Sequence, residues 1–359
     1  MPHPPLNTQW ENANQPVDRL RLYAVALVLL LTSLVIILGI KSFPFRAENE
    51  LLHVSFDGAK TFFQEFDKRY ADGTFEENFY HVSSAHAGSV QQAFGITSGL
   101  IADIVSFASP LESDEIARET GFIRRNWREH FPYGSSPFYS TIVMVVAAGN
   151  PKAIRDWGDL TRKEVNIMAP DPTVSGSGRY AYLCTLLVEH QTKECQSVRP
   201  SFSQNVFMKC KLIAQGASQV SRVFLHSPES DVLLTWESEA VRMKRLYPDK
   251  FDIVYPAFSI LAEPVVAVVD THVEKRNTRA PAEAYIRHLF TEEGQELAAS
   301  NGFRPRADIA LDTPFPSIEL FSVEDVFEGW DCVYDRHFST KGSWNWIRRL
   351  RAARIGGEE

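Results

Sequence analysis

Ile167-Met-Ala-Pro-Asp-Pro-Thr-Val-Ser-Gly-Ser-Gly-Arg-Tyr180 carries an apolar strand end into a Pro/Gly/Ser loop, and a helical pattern from Tyr180 to His190 follows it. Ser175, Gly176, Ser177 and Gly178 fall where the first turn of that helix should begin. A helix N-terminus presents unpaired backbone N–H groups and a partial positive charge, so it can hold an anion without Lys or Arg. Small residues let the anion come close to the backbone. Ser and Gly also cap ordinary helices, so this loop alone does not establish a ligand.

The same junction recurs along the chain. Leu51–Phe56 reads as a short buried strand, followed by a turn at Asp57-Gly58 and an amphipathic helix, Ala59–Tyr70. Phe79–Ser83 is a second strand, ending in Ser84-Ala-His-Ala-Gly-Ser89 before a helical stretch, Val90–Thr97. Ile104–Phe107 is a third. Further strands are expected at 141–147, 166–169, 232–235, 251–255 and 263–269, with one long amphipathic helix over Ala280–Ser300. This alternation predicts an α/β chain with largely parallel sheets, whose strand-to-helix loops gather at the carboxyl edge where ligands bind. No internal repeat is evident.

The chain has 359 residues, 44% of them hydrophobic, and a net charge of -8. That length suggests roughly two domains, and the acidic balance argues against a nucleic-acid partner. Residues 1–18 are polar and Pro/Asn-rich and read as a disordered tail. Leu22–Ile40 contains no charge, is flanked by Arg19, Arg21 and Lys41, and sits in the segment 19–41 that reads as a signal-anchor helix. At about 1.5 Å per residue it nearly spans a bilayer core of about 30 Å. A cleaved signal peptide is the alternative. Of the four cysteines, Cys184, Cys195, Cys210 and Cys332, Cys184 and Cys195 could form a disulfide in an oxidising compartment; buried free thiols are the alternative. No metal-ligand spacing is present, and neither metal nor cofactor is expected.

Several segments then fall in a familiar order. Leu51-Leu-His-Val-Ser-Phe-Asp57, Gly88-Ser89, Pro137–Val143, Gly149–Lys152, Asp156–Leu160, Pro170–Gly176, Asp231–Ala240, Ile260–Pro264 and Asn301–Arg306 resemble the periplasmic sulfate/thiosulfate-binding proteins of ABC importers. Ile318–Trp330 extends the likeness, which runs from about Leu51 to about Ile347. The resemblance implies a two-domain periplasmic-binding-protein fold of type II with a hinge cleft. The first domain would comprise 50–137 and 258–350, the second 138–257. It also implies that sulfate is held by uncharged donors: the Asp57 N–H, the Ser89 hydroxyl, the Ser175 hydroxyl and N–H, the Gly176 and Ser177 N–H groups, the Ala217 N–H and the Trp236 indole N–H. The expected partners are sulfate or thiosulfate, the permease subunits of an ABC importer, and a membrane reached through residues 22–40. The place would be the periplasm, with a tether to the inner membrane.

Departures from the family pattern stand out. Ser177 replaces a Gly, Ala-His-Ala-Gly precedes Ser89 where more Gly is usual, and Gln219 and Val220 follow Ala217 where Gly and Thr are usual. They leave a sensor, or a receptor for another oxyanion, as the alternative. An esterase reading would need a nucleophile and a base; His86 has no such pairing in the sequence, and no enzyme is expected. Asp57 reads as a helix cap whose carboxylate faces its own backbone. Glu237 and Glu239 read as exposed helix residues.

Overall fold

The computed structural model describes residues 49–72, 80–192, 201–213, 216–311 and 314–355. All belong to the compact unit Asn49–Glu359. The expected tail, the expected anchor and Cys195 lie outside the described residues. Among the described residues, no helix is long and apolar enough to cross a membrane.

The first part of the chain runs β1 (Glu50–Phe56), α1 (Lys60–Ala71), β2 (His81–Ala87), α2 (Ser89–Thr97), β3 (Ile104–Phe107) and α3 (Pro110–Glu119). Then come β4 (Phe138–Tyr139), β5 (Ile142–Ala147), β6 (Ile167–Pro170), α4 (Gly176–Gln191), α5 (Phe202–Lys209), β7 (Lys211–Ile213), α6 (Ala217–Leu225), β8 (Val232–Trp236), α7 (Glu237–Leu246) and β9 (Phe251–Val254). The chain closes with β10 (Phe258–Ile260), β11 (Val265–Val268), α8 (Asp270–Arg276), α9 (Arg279–His288), α10 (Glu292–Ser300), β12 (Arg304–Pro305), β13 (Glu319–Phe321) and α11 (Ser343–Ile355).

One sheet has the order β11-β3-β1-β2, the other β7-β6-β8-β5-β9. Pairs β1–β2, β1–β3, β6–β7 and β6–β8 are parallel; β11 runs against β3, and β5 runs against β8 and β9. The expectation of largely parallel sheets is thus corrected to mixed sheets. β5 and β11 lie on the two segments by which the chain passes between sheets, so each enters its sheet reversed.

The inner strands β3, β5, β6 and β8 are buried on both faces, which is why they are apolar runs rather than alternating ones. In β5, Val143 and Val145 pack with Val220, Phe224, Ala240 and Met243, while Ile142, Met144 and Val146 join Tyr180, Leu183 and Leu187 on the opposite side. The two passing segments clasp each other: Ser140 and Ala262 exchange backbone hydrogen bonds of 2.8 and 2.9 Å. Thr141 Oγ1 donates to the Ile260 carbonyl at 2.9 Å, and Ser259 Oγ to that of Ile142 at 3.0 Å.

Two element boundaries differ from the sequence reading. β2 continues to Ala87, because it stays in parallel register with β1 from Glu50↔His81 to Phe56↔Ala87. The helix expected over Ala280–Ser300 is two helices. Thr291 caps the second, its Oγ1 accepting the Gly294 N–H at 3.3 Å. Gly294 sits under the break, where a Cβ would stand 2.3 Å from the His288 carbonyl oxygen. Cys184 and Cys210 are buried free thiols, and burial pushes each up to about 12.

Candidate functional site

Four strand-to-helix junctions lie opposite one another along a seam between the two sheets. The closeness is legible at the glycines. A Cβ on Gly176, the first residue of α4, would stand 2.3 Å from Ala108 Cβ and 3.8 Å from Ser89 Oγ. One on Gly88, just before α2, would stand 2.8 Å from the Val174 carbonyl oxygen. One on Gly216, just before α6, would stand 1.8 Å from Asp57 Oδ2. The turn after β1 and the starts of α2, α4 and α6 therefore meet closely, with glycines at the points of approach. The end of β8 joins them through Trp236, whose ring centroid lies 5.4 Å from that of Phe56 and 5.8 Å from that of Tyr180.

The donors at this seam are largely uncommitted. The residues just before α2, α4 and α6 supply no side-chain cap, although the Asp57 carboxylate reaches Ser218 in the first turn of α6; first-turn N–H groups such as those of Gly176, Ser177 and Ala217 have no acceptor within their own helices. Ser89, 1% exposed, accepts the Ala108 N–H on its Oγ at 3.1 Å, which leaves its own proton to donate elsewhere. Ser175 and Ser177 are both buried, with their hydroxyl oxygens 3.0 Å apart. Trp236 is 2% exposed, and its indole Nε1 is buried without a hydrogen-bond partner among the described residues. An orphaned buried donor costs on the order of 1–3 kcal/mol unless something accepts from it.

Asp57, Ser89, Ser175, Gly176, Ser177, Ala217 and Trp236 are thus gathered at one place, with one amendment. The Ser175 N–H donates to the Asp171 carbonyl at 3.0 Å, closing the turn before α4, so Ser175 has only its hydroxyl to offer. The Asp57 carboxylate does not simply cap its own turn. It crosses the seam, where Ser218 Oγ donates to it at 3.2 Å. Burial pushes its carboxyl up to about 6, against the pull of the Ser218 hydroxyl. His86 belongs to β2, with Nδ1 3.1 Å from Ser55 Oγ, and burial lowers it to about 4.

Charged residues that the sequence reading placed outside turn inward. Glu237 and Glu239 are 0% and 3% exposed. Glu237 is paired with Arg304, a long-range partner that helical periodicity does not reveal, and Glu239 with Arg242 three residues on in the same helix. The sequence reading also missed the buried ion pair between Glu112 of α3 and Arg179 of α4, which bridges the seam beside Gly176. Ser109 Oγ donates to the same carboxylate at 2.8 Å. Arg179 follows the Ser-Gly loop by one turn, but nothing local marks Glu112 as its partner.

Residues 55–304 match the family described as bacterial extracellular solute-binding protein. The chain belongs to that family. Within it, the chain sits among the sulfate- and thiosulfate-binding proteins. It is 38% identical over 307 residues to the sulfate-binding protein of Salmonella typhimurium, covering 84% of this chain and 93% of that one. It is 35% identical over 309 residues to the thiosulfate-binding protein of Pseudomonas aeruginosa, again covering 84% and 93%. The fold of this solute-binding protein matches that of the sulfate-binding protein SubI from Mycobacterium tuberculosis H37Rv, with a TM-score of 0.71 over 81% of this chain and 100% of that one, at 24% identity.

Proposed function

We propose that this solute-binding protein captures sulfate, or the like-charged thiosulfate, in the seam between its two sheets and delivers it to an ABC importer. The observation that carries this reading is the Trp236 indole N–H, buried and without a hydrogen-bond partner among the described residues, at the seam where the starts of α2, α4 and α6 meet. A fully deprotonated dianion satisfies all of these donors at once, and fixed backbone dipoles offset its charge without a buried cation. The donors are the Asp57 N–H, the Ser89 and Ser175 hydroxyls, the Gly176, Ser177 and Ala217 N–H groups, and the Trp236 indole.

On this reading the chain forms two lobes, 50–137 with 258–350 and 138–257, in the type II arrangement. The paired segments at Ser140 and Ala262 serve as the hinge. Anion binding favours the closed arrangement, which the permease recognises. The protein works outside the cytoplasm, tethered by residues 22–40. Carbonate washing should leave the chain in the membrane pellet; release into the wash would remove the tether from this reading.

The decisive experiment is calorimetric titration of the full chain with sulfate after exhaustive dialysis. Trp236→Phe keeps the ring and removes the donor; Ser175→Ala removes the hydroxyl. Each should weaken sulfate binding by about 1–3 kcal/mol, as for a lost hydrogen bond to a buried charge. Unchanged affinity in both variants would sink the site.

A further inference from the structure

We infer that Phe94, Leu100 and Ile101 form a lipid-binding face, which lays the outer edge of the β11-β3-β1-β2 sheet on the anionic surface of the membrane that holds the tether. The inference rests on the tether proposed above.

Phe94, Leu100 and Ile101 are 72%, 43% and 52% exposed. Large apolar side chains exposed singly are ordinary; three around one turn are not. The end of α2 brings them together. Gly99 takes a left-handed conformation, with φ of +104°. Its N–H donates to the Ile96 carbonyl at 3.0 Å, and the Leu100 N–H donates to the Gly95 carbonyl at 2.8 Å. A helix end of this kind folds the next apolar residue back over the last turn. Leu100 does so: a Cβ on Gly95 would stand 3.2 Å from Leu100 Cδ2. It comes to rest beside the neighbour of Phe94, yet stays open to solvent. Ile101 carries the apolar surface on towards β3.

The place where the chain enters this sheet decides the occupant. α2 starts at the anion seam with Ser89 and runs nine residues away from it, so its end lies at the opposite edge of the sheet. β1 enters at that same edge. The Asp103 N–H donates to the Leu52 carbonyl at 2.7 Å, and the Leu52 N–H to Asp103 Oδ2 at 2.8 Å. Arg276 ties the corner, donating from Nε to Asp103 Oδ1 and from Nη2 to the Glu50 carbonyl, both at 2.9 Å. Ile101 stands two residues before Asp103, beside the start of β1. In sequence, residues 41–48 separate Asn49 from the apolar stretch 22–40. Such a connection reaches no further than roughly 30 Å even when fully extended. The tether therefore keeps this edge near the bilayer.

Charge favours the same occupant. Lys275 of α8 is exposed, and it adds to burial in lowering the neighbouring His272. His272 Nδ1 lies 3.0 Å from the carbonyl oxygen of Ala102, the residue after Ile101. Apolar side chains with a cation beside them suit an anionic headgroup layer: the carbon enters the acyl boundary while the ammonium stays among the phosphates. Resting on this face leaves the anion seam, at the other end of α2, open to solvent.

The test is amide hydrogen exchange of the full chain in phosphatidylglycerol-containing vesicles and in detergent, for the natural sequence and for Phe94→Ser combined with Ile101→Ser. Exchange over residues 97–102 should slow severalfold in the vesicles relative to detergent. The double variant should lose that slowing while keeping its sulfate affinity and thermal stability, since both side chains are exposed. Lys275→Glu should weaken the slowing in phosphatidylglycerol vesicles. Equal exchange in vesicles and detergent, with the chain incorporated, overturns the inference and leaves the tether standing. Slow exchange already present in detergent also overturns it: loss on dilution would assign the face to a second copy, and persistence at every dilution to the chain's own N-terminal segment. Failure of the chain to enter vesicles overturns the tether and this inference with it, whereas failure to bind sulfate overturns the receptor reading alone.

Discussion

Gly176→Ala is expected to leave the protein folded while weakening sulfate binding by about a hundredfold or more. The added methyl meets Ala108 Cβ at 2.3 Å and Ala108 Cα at 3.6 Å, where carbon atoms rest comfortably at about 3.5–4.0 Å. Neither side can yield cheaply. Gly176 opens a 16-residue helix whose first turn is buried. Ala108 leads into α3, which is fixed by buried Ser109 and by Glu112 in its ion pair with Arg179. Alanine itself suits a helix start, so the clash arises only where the two junctions meet. The variant should relieve it by holding the seam apart, and the affinity then falls by the fraction of molecules still able to close. Thermal unfolding together with calorimetric titration separates the two effects. Wild-type affinity in Gly176→Ala would mean that anion capture does not need the approach of Ala108 to Gly176. Gly216→Ala is the informative contrast. Its methyl meets the tip of the Asp57 side chain, which can swing away, so its loss should be the smaller of the two.

The difference between these glycines marks how far the sequence could be read. Ile104–Phe107 and the strands near 142–147 and 232–236 were legible because fully buried strands are short apolar runs bounded by polar turns. The Ser-Gly loop before α4 was legible because its residue types suit an anion at a helix start. That Gly176 must be glycine was not, because the reason is Ala108, 68 positions earlier and brought near only by the fold. The Ser175 N–H was over-counted for a local reason: the turn from Asp171 consumes it. The break between α9 and α10 was hidden because Leu289 and Phe290 keep the apolar pattern going, and only the Thr291 cap and Gly294 interrupt it. Glu237 looked solvated because its partner Arg304 is not visible in a helical wheel; Glu239 pairs with Arg242 three residues on, and it was the burial of that pair, not the partner, that the wheel did not show. Trp236 is the opposite case: an aromatic ending an apolar run reads as core, and it is core, but its nitrogen has no hydrogen-bond partner among the described residues.

Arg304→Met is expected to destabilise the protein by about 3–5 kcal/mol, the cost of leaving a buried carboxylate without its counter-ion. Arg304 Nε donates to Glu237 Oε2 at 2.6 Å, and Nη2 to Oε1 at 2.9 Å, a bidentate geometry. The two side chains are 9% and 0% exposed. Nη2 also donates to the Pro316 carbonyl at 2.8 Å, and the guanidinium lies 5.1 Å from the Phe315 ring centroid. Methionine preserves much of the bulk, so the loss should come from charge and hydrogen bonding rather than from a cavity. If that is correct, combining Arg304→Met with Glu237→Gln should recover most of the stability, because the second change removes the orphaned charge. Denaturant unfolding at neutral pH measures both. A single-variant loss under about 1 kcal/mol would mean that water or a proton reaches Glu237 once the arginine is gone. The same pair also bears on ligand capture. Glu237 directly follows Trp236, so Arg304 holds the corner from which the indole N–H is presented. Arg304→Met should therefore weaken sulfate binding as well as the fold, whereas the double variant, relieved of the buried charge, should regain stability more fully than affinity.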